Sequence, residues 1–528
     1  MTSDKRAIIE DITFGGRTAE DEVDNLSRYF VETEQWRKVW ADEVDIVFAP
    51  KGGGKSAIYS MLGSREDKLF ARNIILVQAE NPTGNTAFEP ITSQPPTSET
   101  EFIRIWRLYL LVLIVEELER YDVTSKDLAE VRAALGSLGL SEPITQKKTI
   151  VARVRDIVTR LFHPEAIEGN VALDPTTGAT TGFSVKVSFD EPSIEESNAG
   201  VLSVDRLYEK ANAALAEQGF TIWLMLDRLD VAFTESPELE ANALRALFRV
   251  YRLLEPLKQL RLKIFLRSDI WSEITKGGFR ETSHITRDLN LQWGRASLLQ
   301  LITQRMVQSP ELTAFLGGGR ETAIATTAAQ QALFDAVFPK QVDAGSRKLT
   351  TFDWALSRSA DGKKVNAPRE LIHLFSEVRD AQLHRLDTGE ASIPQDSLFE
   401  AQTFREAWPV VSETRLMKTI YPEFPWLKEW LERLRGQRTH HSLDSLRAIW
   451  GVDLGEAEDR IKRLVDVGFF ERRGPIQEST YWVPFLYRPA LGLVQGSAEG
   501  VAEKAQEDEG DMDGPDQRAA PRLGGLGD

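Results

Sequence analysis

The stretch APKGGGKSAI, residues 49–58, decides the fold that this sequence predicts. It contains the Gly-Lys-Ser that ends a phosphate-binding loop, although Ala49 stands where that motif has its first glycine. The apolar run VDIVF (44–48) precedes the loop, and the apolar-patterned SAIYSML (56–62) follows it. A strand, a glycine loop and a helix in this order predict a phosphate site rather than a glycine-rich turn with a solvated lysine.

Each part of this loop has a physical role in binding phosphate. Glycines allow the backbone N–H groups to point inward, and the N-terminus of the next helix adds the positive end of its dipole. A lysine reaches the β- and γ-phosphates and a hydroxyl binds Mg²⁺; Lys55 and Ser56 supply these two groups. The residues predicted to bind the nucleotide are Pro50, Lys51, Gly52, Gly53, Gly54, Lys55, Ser56 and Ala57.

A carboxylate follows a second strand in LMLDRLDVAF, residues 224–233. The continuous apolar run TIWLML (221–226) is typical of a strand covered on both faces. Asp227 comes directly after it, where nucleotide sites place a carboxylate that orients the water shell of Mg²⁺. Ser56 and Asp227 are therefore the predicted metal-site residues, and Asp230 is predicted to polarise the attacking water. A helix cap at Asp227 and a surface carboxylate at Asp230 are the structural alternatives.

A third strand ends in polar residues in LKIFLRSDIW, residues 262–271. Arg267 is the candidate sensor of the γ-phosphate, with Ser268 as its substitute. The structural alternative is a surface salt bridge between Arg267 and Asp269. The predicted catalytic residues are thus Lys55, Asp227, Asp230 and Arg267.

Arginines farther along the chain are candidates for other contacts with the nucleotide. Arg280 and Arg287 are candidate arginine fingers that act in trans across a subunit interface. Arg369 follows Pro368, and proline is favoured at the first position of a helix. Arg369 is therefore predicted in the first turn of a helix, where it either contacts the nucleotide or only begins the helix.

The composition excludes several classes of site. The chain has no cysteine, so disulfides, thiolate metal sites and cysteine nucleophiles are excluded. Its six histidines form no HxxxH or HExxH pair, and the only adjacent pair, His440 and His441, is expected to be exposed. The most apolar stretch, LYLLVLIV (108–115), is too short to span a bilayer. We therefore expect a cytoplasmic protein without a membrane partner.

The order of helical and strand patterns predicts five regions. Strands that alternate with helices indicate an α/β core with a mainly parallel sheet. Three short helical patterns, followed by two apolar strands around a polar turn, indicate a winged helix. The predicted regions are a helical leader (1–40), a P-loop ATPase core (41–294) with a β-hairpin or flexible insertion (164–200), a helical lid (295–420), the winged helix (421–493) and a disordered acidic tail (494–528).

The net charge of −17 argues against broad binding of nucleic acid. Residues 421–490 hold eleven acidic and eleven basic side chains, so the predicted winged helix is neutral. Phosphate contacts dominate the affinity for DNA. The sequence therefore favours a contact of the winged helix with protein over a contact with DNA. The basic clusters available for a contact with DNA are Arg472 with Arg473 and the segment RLRGQRTHH (433–441).

These motifs in this order resemble the ASCE P-loop ATPases of the AAA+/STAND type. More narrowly, the chain resembles bacterial ATPases that end in a winged helix and whose genes often lie near phage-defence genes. The motifs that carry this resemblance cover most of residues 13–493: TFGGRTAEDEVDNLSRYFVET (13–33), APKGGGKSAIYSML (49–62), IWRLYLL (105–111), LMLDRLDVAF, FLRSDIW (265–271), NLQWGRASLLQLITQRM (290–306), APRELI (367–372) and VPFLYRPALGL (483–493).

The resemblance implies a three-layer α/β/α core with the sheet order 5-1-4-3-2, followed by a lid and a winged helix. It implies ATP, since the sequence has no NKxD-type guanine motif, and it makes Asp227 the Walker B carboxylate. Two positions depart from the family pattern. Ala49 replaces the first loop glycine, and Arg228 occupies the place of the second acid that usually follows the Walker B aspartate.

The predicted function is an ATP-binding switch that hydrolyses ATP slowly with Mg²⁺. It is expected to act as a homo-oligomer or with a partner effector protein, and the resemblance suggests phage defence. A DNA-associated ATPase that docks through its winged helix and a nucleotide-binding scaffold without hydrolysis are the alternatives.

Overall fold

A computed structural model of the chain describes residues 2–22, 25–79, 98–140, 147–162, 187–195, 201–229, 237–276, 278–317, 319–391, 393–475 and 478–497. The chain forms two compact units. One unit is Ala19–Gln292, which we call the core unit. The other combines Met1–Thr18 with the chain from Trp293 to Asp528, and we call it the lid unit. The predicted leader, residues 1–40, is thus divided between the two.

The core unit is built on a five-stranded sheet in which every pair of neighbours is parallel. The strands described in this unit are β1 (Ile46–Ala49), β2 (Ile74–Gln78), β3 (Val187–Ser188), β4 (Leu202–Ser203), β5 (Thr221–Leu226), β6 (Leu260–Arg267) and β7 (Asp288–Asn290). The spatial order is β2-β5-β6-β1-β7, with β3 and β4 as a separate pair. Counted along the sheet's own strands this is 2-3-4-1-5, so the predicted order 5-1-4-3-2 and the α/β fold class are confirmed.

Helices cover both faces of this sheet. Along β5, Ile222 and Leu224 belong to one buried apolar cluster, whereas Trp223 and Met225 belong to another. Alternate side chains of one strand therefore enter two cores, which explains the unbroken apolar run. The helices and 3-10 turns described in the core unit are Glu20–Glu22, Leu26–Tyr29, Glu34–Trp40, Lys55–Gly63, Glu66–Phe70, Glu99–Arg120, Lys126–Ser137, Lys147–Phe162, Val204–Gln218, Pro237–Leu254, Ser268–Thr275 and Arg280–His284.

The predicted insertion, residues 164–200, lies mostly outside the described residues. The last part of its alternating run forms β3, and β3 pairs with β4 in parallel. A hairpin would require antiparallel pairing, so the described part of this segment does not form the predicted hairpin.

The lid unit is helical up to about residue 432 and then mixes helices with strands. Its first helix, Thr2–Asp11, packs on later ones: Ser309 donates to Asp11 at 2.5 Å, and Arg379 donates to the carbonyls of Ile9 and Glu10. The described helices and turns of this unit are Thr2–Asp11, Arg295–Met306, Pro310–Leu316, Arg320–Ile324, Thr327–Val337, Thr351–Ser359, Pro368–Asp387, Ala401–Arg415, Leu416–Ile420, Tyr421–Glu423, Pro425–Leu427, Lys428–Glu432, Leu443–Trp450, Leu454–Asp466 and Phe485–Tyr487.

A second sheet identifies the winged helix. It contains β8 (Arg438–His441), β9 (Glu471–Arg473), β10 (Thr480–Trp482) and β11 (Val494–Ser497) in the order β11-β8-β10-β9. β9 and β10 form the antiparallel wing after the helix Leu454–Asp466. β11 pairs in parallel with β8, so the first residues of the predicted tail 494–528 form a strand instead. Residues 498–528 lie outside the described part of the chain.

The expectation that His440 and His441 are exposed is wrong. Both lie in β8 with only 1% of their surface exposed, because β8 is an inner strand of the second sheet. Burial lowers the pKa of His440 to about 3 and that of His441 to about 4. Both rings are therefore neutral near pH 7. Among the described residues, no group of three or more His, Cys, Asp or Glu side chains is placed to hold a metal.

Within the described ranges, no helix combines the length and the apolar character needed to cross a membrane.

Candidate nucleotide site

The glycine loop joins β1 to the helix Lys55–Gly63, and its three glycines are required for two different reasons. Gly52 and Gly54 have φ values of 77° and 100°, which side chains rarely adopt. Gly53 has no space for a side chain, since an added Cβ would lie 2.9 Å from the carbonyl oxygen of Pro50. The Gly53 N–H donates to that same oxygen at 3.0 Å. The loop is thus a tight backbone cradle that no other residue type fits without strain.

Ala49 does not disturb this loop. It is the last residue of β1, and it is not among the residues with positive φ. An L-residue therefore fits this position without backbone strain, and alanine needs the least space. Ala49 lies level with Arg267 in the pairing of β1 with β6. The loop and Arg267 therefore leave the sheet at the same height, at its carboxyl edge.

Ser56 and Asp227 meet at this edge although 171 positions separate them in the chain. The Ser56 hydroxyl donates to an Asp227 carboxylate oxygen at 2.9 Å, and only 3% of Asp227 is exposed. Lys55 begins the helix after the loop, and its Nζ donates to the Ala49 carbonyl at 3.3 Å. The structure therefore brings together three of the predicted site residues.

Arg267 lies at the end of β6 and pairs with Asp269. Its Nε and Nη2 donate to the two carboxylate oxygens at 3.1 Å and 2.6 Å. A salt bridge with Asp269 at the surface is the alternative to a sensor role for Arg267. The observed pair is partly buried, since only 11% of the Arg267 side chain is exposed. Burial raises the pKa of Asp269, whereas the hydrogen bonds and charge of Arg267 and the charge of Lys55 lower it. The resulting pKa lies below the ordinary value, so Asp269 is ionised.

Arg228, directly after Asp227, has a left-handed backbone with φ of 56°. This conformation costs an L-residue about 1–2 kcal/mol, and such residues cluster at functional sites. The chain therefore turns sharply at the position where the family pattern has a second acid. Asp230, the predicted catalytic base, lies outside the described residues.

The two candidate arginine fingers differ in their surroundings. Arg287 directly precedes β7, and it donates to Asp45 at 2.7 Å and also to Asp42. Its guanidinium is thus bound inside its own chain at the amino edge of the sheet, opposite the glycine loop. Arg280 lies in the turn Arg280–His284 and is exposed.

Arg369 lies in the lid unit. The helix Pro368–Asp387 begins at Pro368, so Arg369 occupies its first turn, where the sequence predicts it.

The residues at the carboxyl edge fit a nucleoside triphosphate with Mg²⁺. The glycine cradle has no room for a Cβ at Gly53, and successive backbone N–H groups in a turn of this kind form a concave binding site for anions such as phosphate. The paired Ser56 hydroxyl and Asp227 carboxylate are hard oxygen donors of the kind that Mg²⁺ prefers. Lys55 and Arg267 add positive charge at the same edge. When bound, Mg²⁺ would neutralise negative charge on the phosphates.

A buried ion cluster at the amino edge was missed by the sequence analysis. Lys263 Nζ lies 2.5 Å from Asp42 Oδ1 and 2.9 Å from Asp45 Oδ1, and only 1% of its side chain is exposed. Burial raises the pKa of Asp45, but the charges and hydrogen bonds of Lys263 and Arg287 lower it below its ordinary value. A lysine inside the otherwise apolar run LKIFL was the signal that could have revealed this cluster.

Comparisons with known proteins give distant matches. No family model matches the chain, and no curated protein matches it. The ORC1 protein of Aeropyrum pernix in complex with DNA is similar with a TM-score of 0.34 and 12% identity, covering 89% of this chain and 94% of that chain. The ORC2 protein of Aeropyrum pernix in ADPNP-ADP complexes is similar with a TM-score of 0.30 and 12% identity, covering 87% and 91%. Both TM-scores are too low to carry an argument about function.

Proposed function

We propose that this chain is an ATP-binding switch of the AAA+/STAND type that hydrolyses ATP slowly. The contact between Ser56 and Asp227 beside the glycine loop is the observation that supports it best. A solvated glycine turn would not need a serine hydroxyl bonded to a carboxylate that is 3% exposed. A phosphate site with Mg²⁺ needs these two donors together.

The residues at the carboxyl edge of the sheet have different roles in the binding and hydrolysis of ATP. The backbone N–H groups of the loop and the start of the helix Lys55–Gly63 bind the phosphate oxygens. Lys55 neutralises charge on the β- and γ-phosphates, and Ser56 and Asp227 are the residues that would hold Mg²⁺. Arg267 contacts the γ-phosphate as the sensor. Asp230 polarises the attacking water.

Slow hydrolysis follows from two features of the site. Arg228 stands where a second acid would polarise water, which leaves this role to Asp230. Arg267 is bound by Asp269, so it must change partner before it can stabilise charge on the γ-phosphate. Both features affect the chemical step more than the binding of ATP.

We also propose that the winged helix contacts protein rather than DNA. On the helix Leu454–Asp466, Arg460 pairs with Glu456, and Arg463 pairs with Asp459 at 2.8 Å. In the wing, Arg473 pairs with Glu471 at 2.9 Å. These three cations already have acidic partners in their own chain, so a contact with DNA phosphates would require each of them to exchange its partner. A second copy of the chain or an effector protein is the proposed partner, and the phage-defence role rests on the sequence resemblance.

In a homo-oligomer, Arg280 is the better candidate finger. Its side chain is exposed, whereas Arg287 is held by Asp42 and Asp45 of its own chain. A finger must be free to reach the phosphates of another subunit.

Equilibrium binding of a fluorescent ATP analogue, combined with a phosphate-release assay, tests the proposed function. Lys55→Ala should weaken ATP binding by at least about tenfold, since a charge-assisted contact to phosphate is lost. Lys68→Ala, which removes an exposed lysine from the helix Glu66–Phe70, is the matched control and should bind like wild type. Equal ATP affinity in Lys55→Ala and wild type would refute the phosphate site. Binding without phosphate release would favour the scaffold.

A further inference from the structure

The carboxyl edge holds a carboxylate that the proposed mechanism does not use. Asp269 lies in the first turn of the helix Ser268–Thr275, two residues after Arg267 ends β6. Both of its oxygens accept hydrogen bonds from Arg267, at 3.1 Å and 2.6 Å. Two parallel bonds fix the orientation of a guanidinium as well as its position. The candidate γ-phosphate sensor is therefore held by an anion of its own chain.

Lys55 also acts on this carboxylate. Burial raises the pKa of Asp269, the hydrogen bonds and charge of Arg267 lower it most, and the charge of Lys55 lowers it by a smaller amount. Both cations that are proposed to bind phosphate thus stabilise the ionised form of Asp269. A carboxylate in this position supplies, in part, the negative charge that a phosphate would bring.

We propose that Asp269 competes with the γ-phosphate for Arg267 and thereby makes the site distinguish ATP from ADP. This inference rests on the proposed function. Without nucleotide, Asp269 holds the guanidinium. A γ-phosphate carries more negative charge and three oxygens, so it takes the guanidinium from Asp269. ADP lacks this group and leaves the pair of Arg267 and Asp269 closed.

Competition and orientation predict opposite effects of removing the Asp269 charge. If Asp269 competes, its charge lowers the affinity for ATP, because the pair must open and the carboxylate repels the phosphate. If Asp269 only orients Arg267 toward the nucleotide, its loss weakens ATP binding. If it only stabilises the start of the helix Ser268–Thr275, its loss changes the affinities for ATP and ADP alike.

The experiment is a comparison of ATP and ADP affinities, measured by calorimetry with Mg²⁺, for the full chain and Asp269→Asn. We expect Asp269→Asn to bind ATP at least about fivefold more tightly, whereas its ADP affinity changes by less than about twofold. Glu273→Gln is the matched control, since it removes the same charge from the same helix, at an exposed pair with Lys276. Its ratio of ATP to ADP affinity should equal that of wild type.

A double variant tests whether Asp269 acts through Arg267. In Arg267→Ala, the further change Asp269→Asn should no longer raise the preference for ATP over ADP. If Asp269→Asn does not fold, Asp269→Ser replaces it, because serine also suits the start of a helix. Weaker ATP binding, or equal changes for ATP and ADP, would overturn the competition. Absence of ATP and ADP binding in the wild-type chain would instead overturn the proposed function.

Discussion

The two edges of the core sheet carry the same types of charged side chain, but Lys263 at the amino edge is buried, whereas Lys55 at the carboxyl edge is partly exposed. At the amino edge, where β1 and β7 begin, Lys263 and Arg287 are paired with Asp42 and Asp45, and 1% of Lys263 is exposed. At the carboxyl edge, Lys55 is partly exposed beside a glycine cradle. A closed ion cluster can only hold the fold together, whereas cations at an open cradle can bind an anion from solution.

Position along the strands explains this difference. The carboxyl ends of parallel strands point toward the N-termini of the helices that follow, so this edge combines helix dipoles with loop N–H groups. The amino edge lacks these dipoles, and Lys263, inside β6, is covered by Trp223 with its Nζ 4.4 Å from the ring centre. The same residue types are therefore structural at one edge and are proposed to bind ligand at the other.

The largest expected effect comes from breaking the amino edge. Lys263→Met should lower the free energy of unfolding by about 3–5 kcal/mol, because it removes one partner of a buried ion pair. The Val44 carbonyl then loses its Lys263 donor, and Asp45 keeps only the hydrogen bonds from Arg287 and Tyr251 in place of the buried ammonium. Chemical denaturation with urea measures this loss. Folded Lys263→Met should still bind ATP, since Lys263 lies four residues, or about 13 Å, from the end of β6.

An exposed ion pair provides the control for that experiment. Lys276 pairs with Glu273, and both side chains are more than half exposed. Lys276→Met should change the free energy of unfolding by no more than about 0.5 kcal/mol. A loss below 1 kcal/mol in Lys263→Met would show that the amino-edge cluster does not stabilise the fold.

The next largest effect is expected at the cradle. Gly53→Ala places a Cβ within 3 Å of the Pro50 oxygen and against the Ala49 Cβ, so the backbone of the loop must shift. ATP affinity should fall by about tenfold or more, whereas the free energy of unfolding changes by about 1–3 kcal/mol. Titration with ATP and urea denaturation separate the two quantities. Unchanged ATP affinity would mean that the loop does not contact the nucleotide.

The sequence predicted the carboxyl edge better than the amino edge. Strand, loop and helix follow each other within residues 44–62, and Asp227 directly follows an apolar run, so local patterns located both motifs. Ser56 and Asp227 can then meet because both follow the carboxyl ends of strands in one parallel sheet and therefore lie at the same edge. The amino-edge cluster joins residues 218 and more positions apart, and only the charge of Lys263 within its strand hinted at it.

Other errors also concern contacts that local patterns do not encode. His440 and His441 lie in a polar stretch, but their strand has neighbours on both sides that are distant in sequence, and this buries both rings. The helix Thr2–Asp11 joins the lid unit through contacts with residues about 300 positions away. The pairing of Arg267 with Asp269, in contrast, joins residues two positions apart, and the sequence analysis named it as an alternative to the sensor.

A smaller effect is expected from acid at the carboxyl edge. Asp269 has a lowered pKa in the folded chain, so its stabilising effect is present above the unfolded value of about 3.9 and is lost as the pH falls through the folded pKa. Asp269→Asn should therefore be less stable than wild type by up to about 1 kcal/mol at pH 7, since the pair is partly exposed.

Thermal unfolding at several pH values measures that difference. It should be constant between pH 5 and pH 8, shrink as the pH falls below the unfolded value of about 3.9, and disappear only below the lowered pKa of folded Asp269. A difference that grows as the pH falls would contradict an ionised Asp269.

The smallest effect is expected where the sequence departs from the motif. Ala49→Gly restores the first loop glycine, but Ala49 already has a backbone that alanine tolerates and is 1% exposed at the end of β1. The change should leave ATP affinity within about twofold and lower the free energy of unfolding by about 0.5–1 kcal/mol, because glycine gains freedom in the unfolded chain. Calorimetric titration measures the ATP affinity of Ala49→Gly and of wild type. A tenfold gain in the variant would show that Ala49 holds the glycine loop in a conformation that binds ATP less well. In the double variant with Gly53→Ala, ATP binding should stay weak, since the contact with the Pro50 oxygen persists whatever residue occupies position 49.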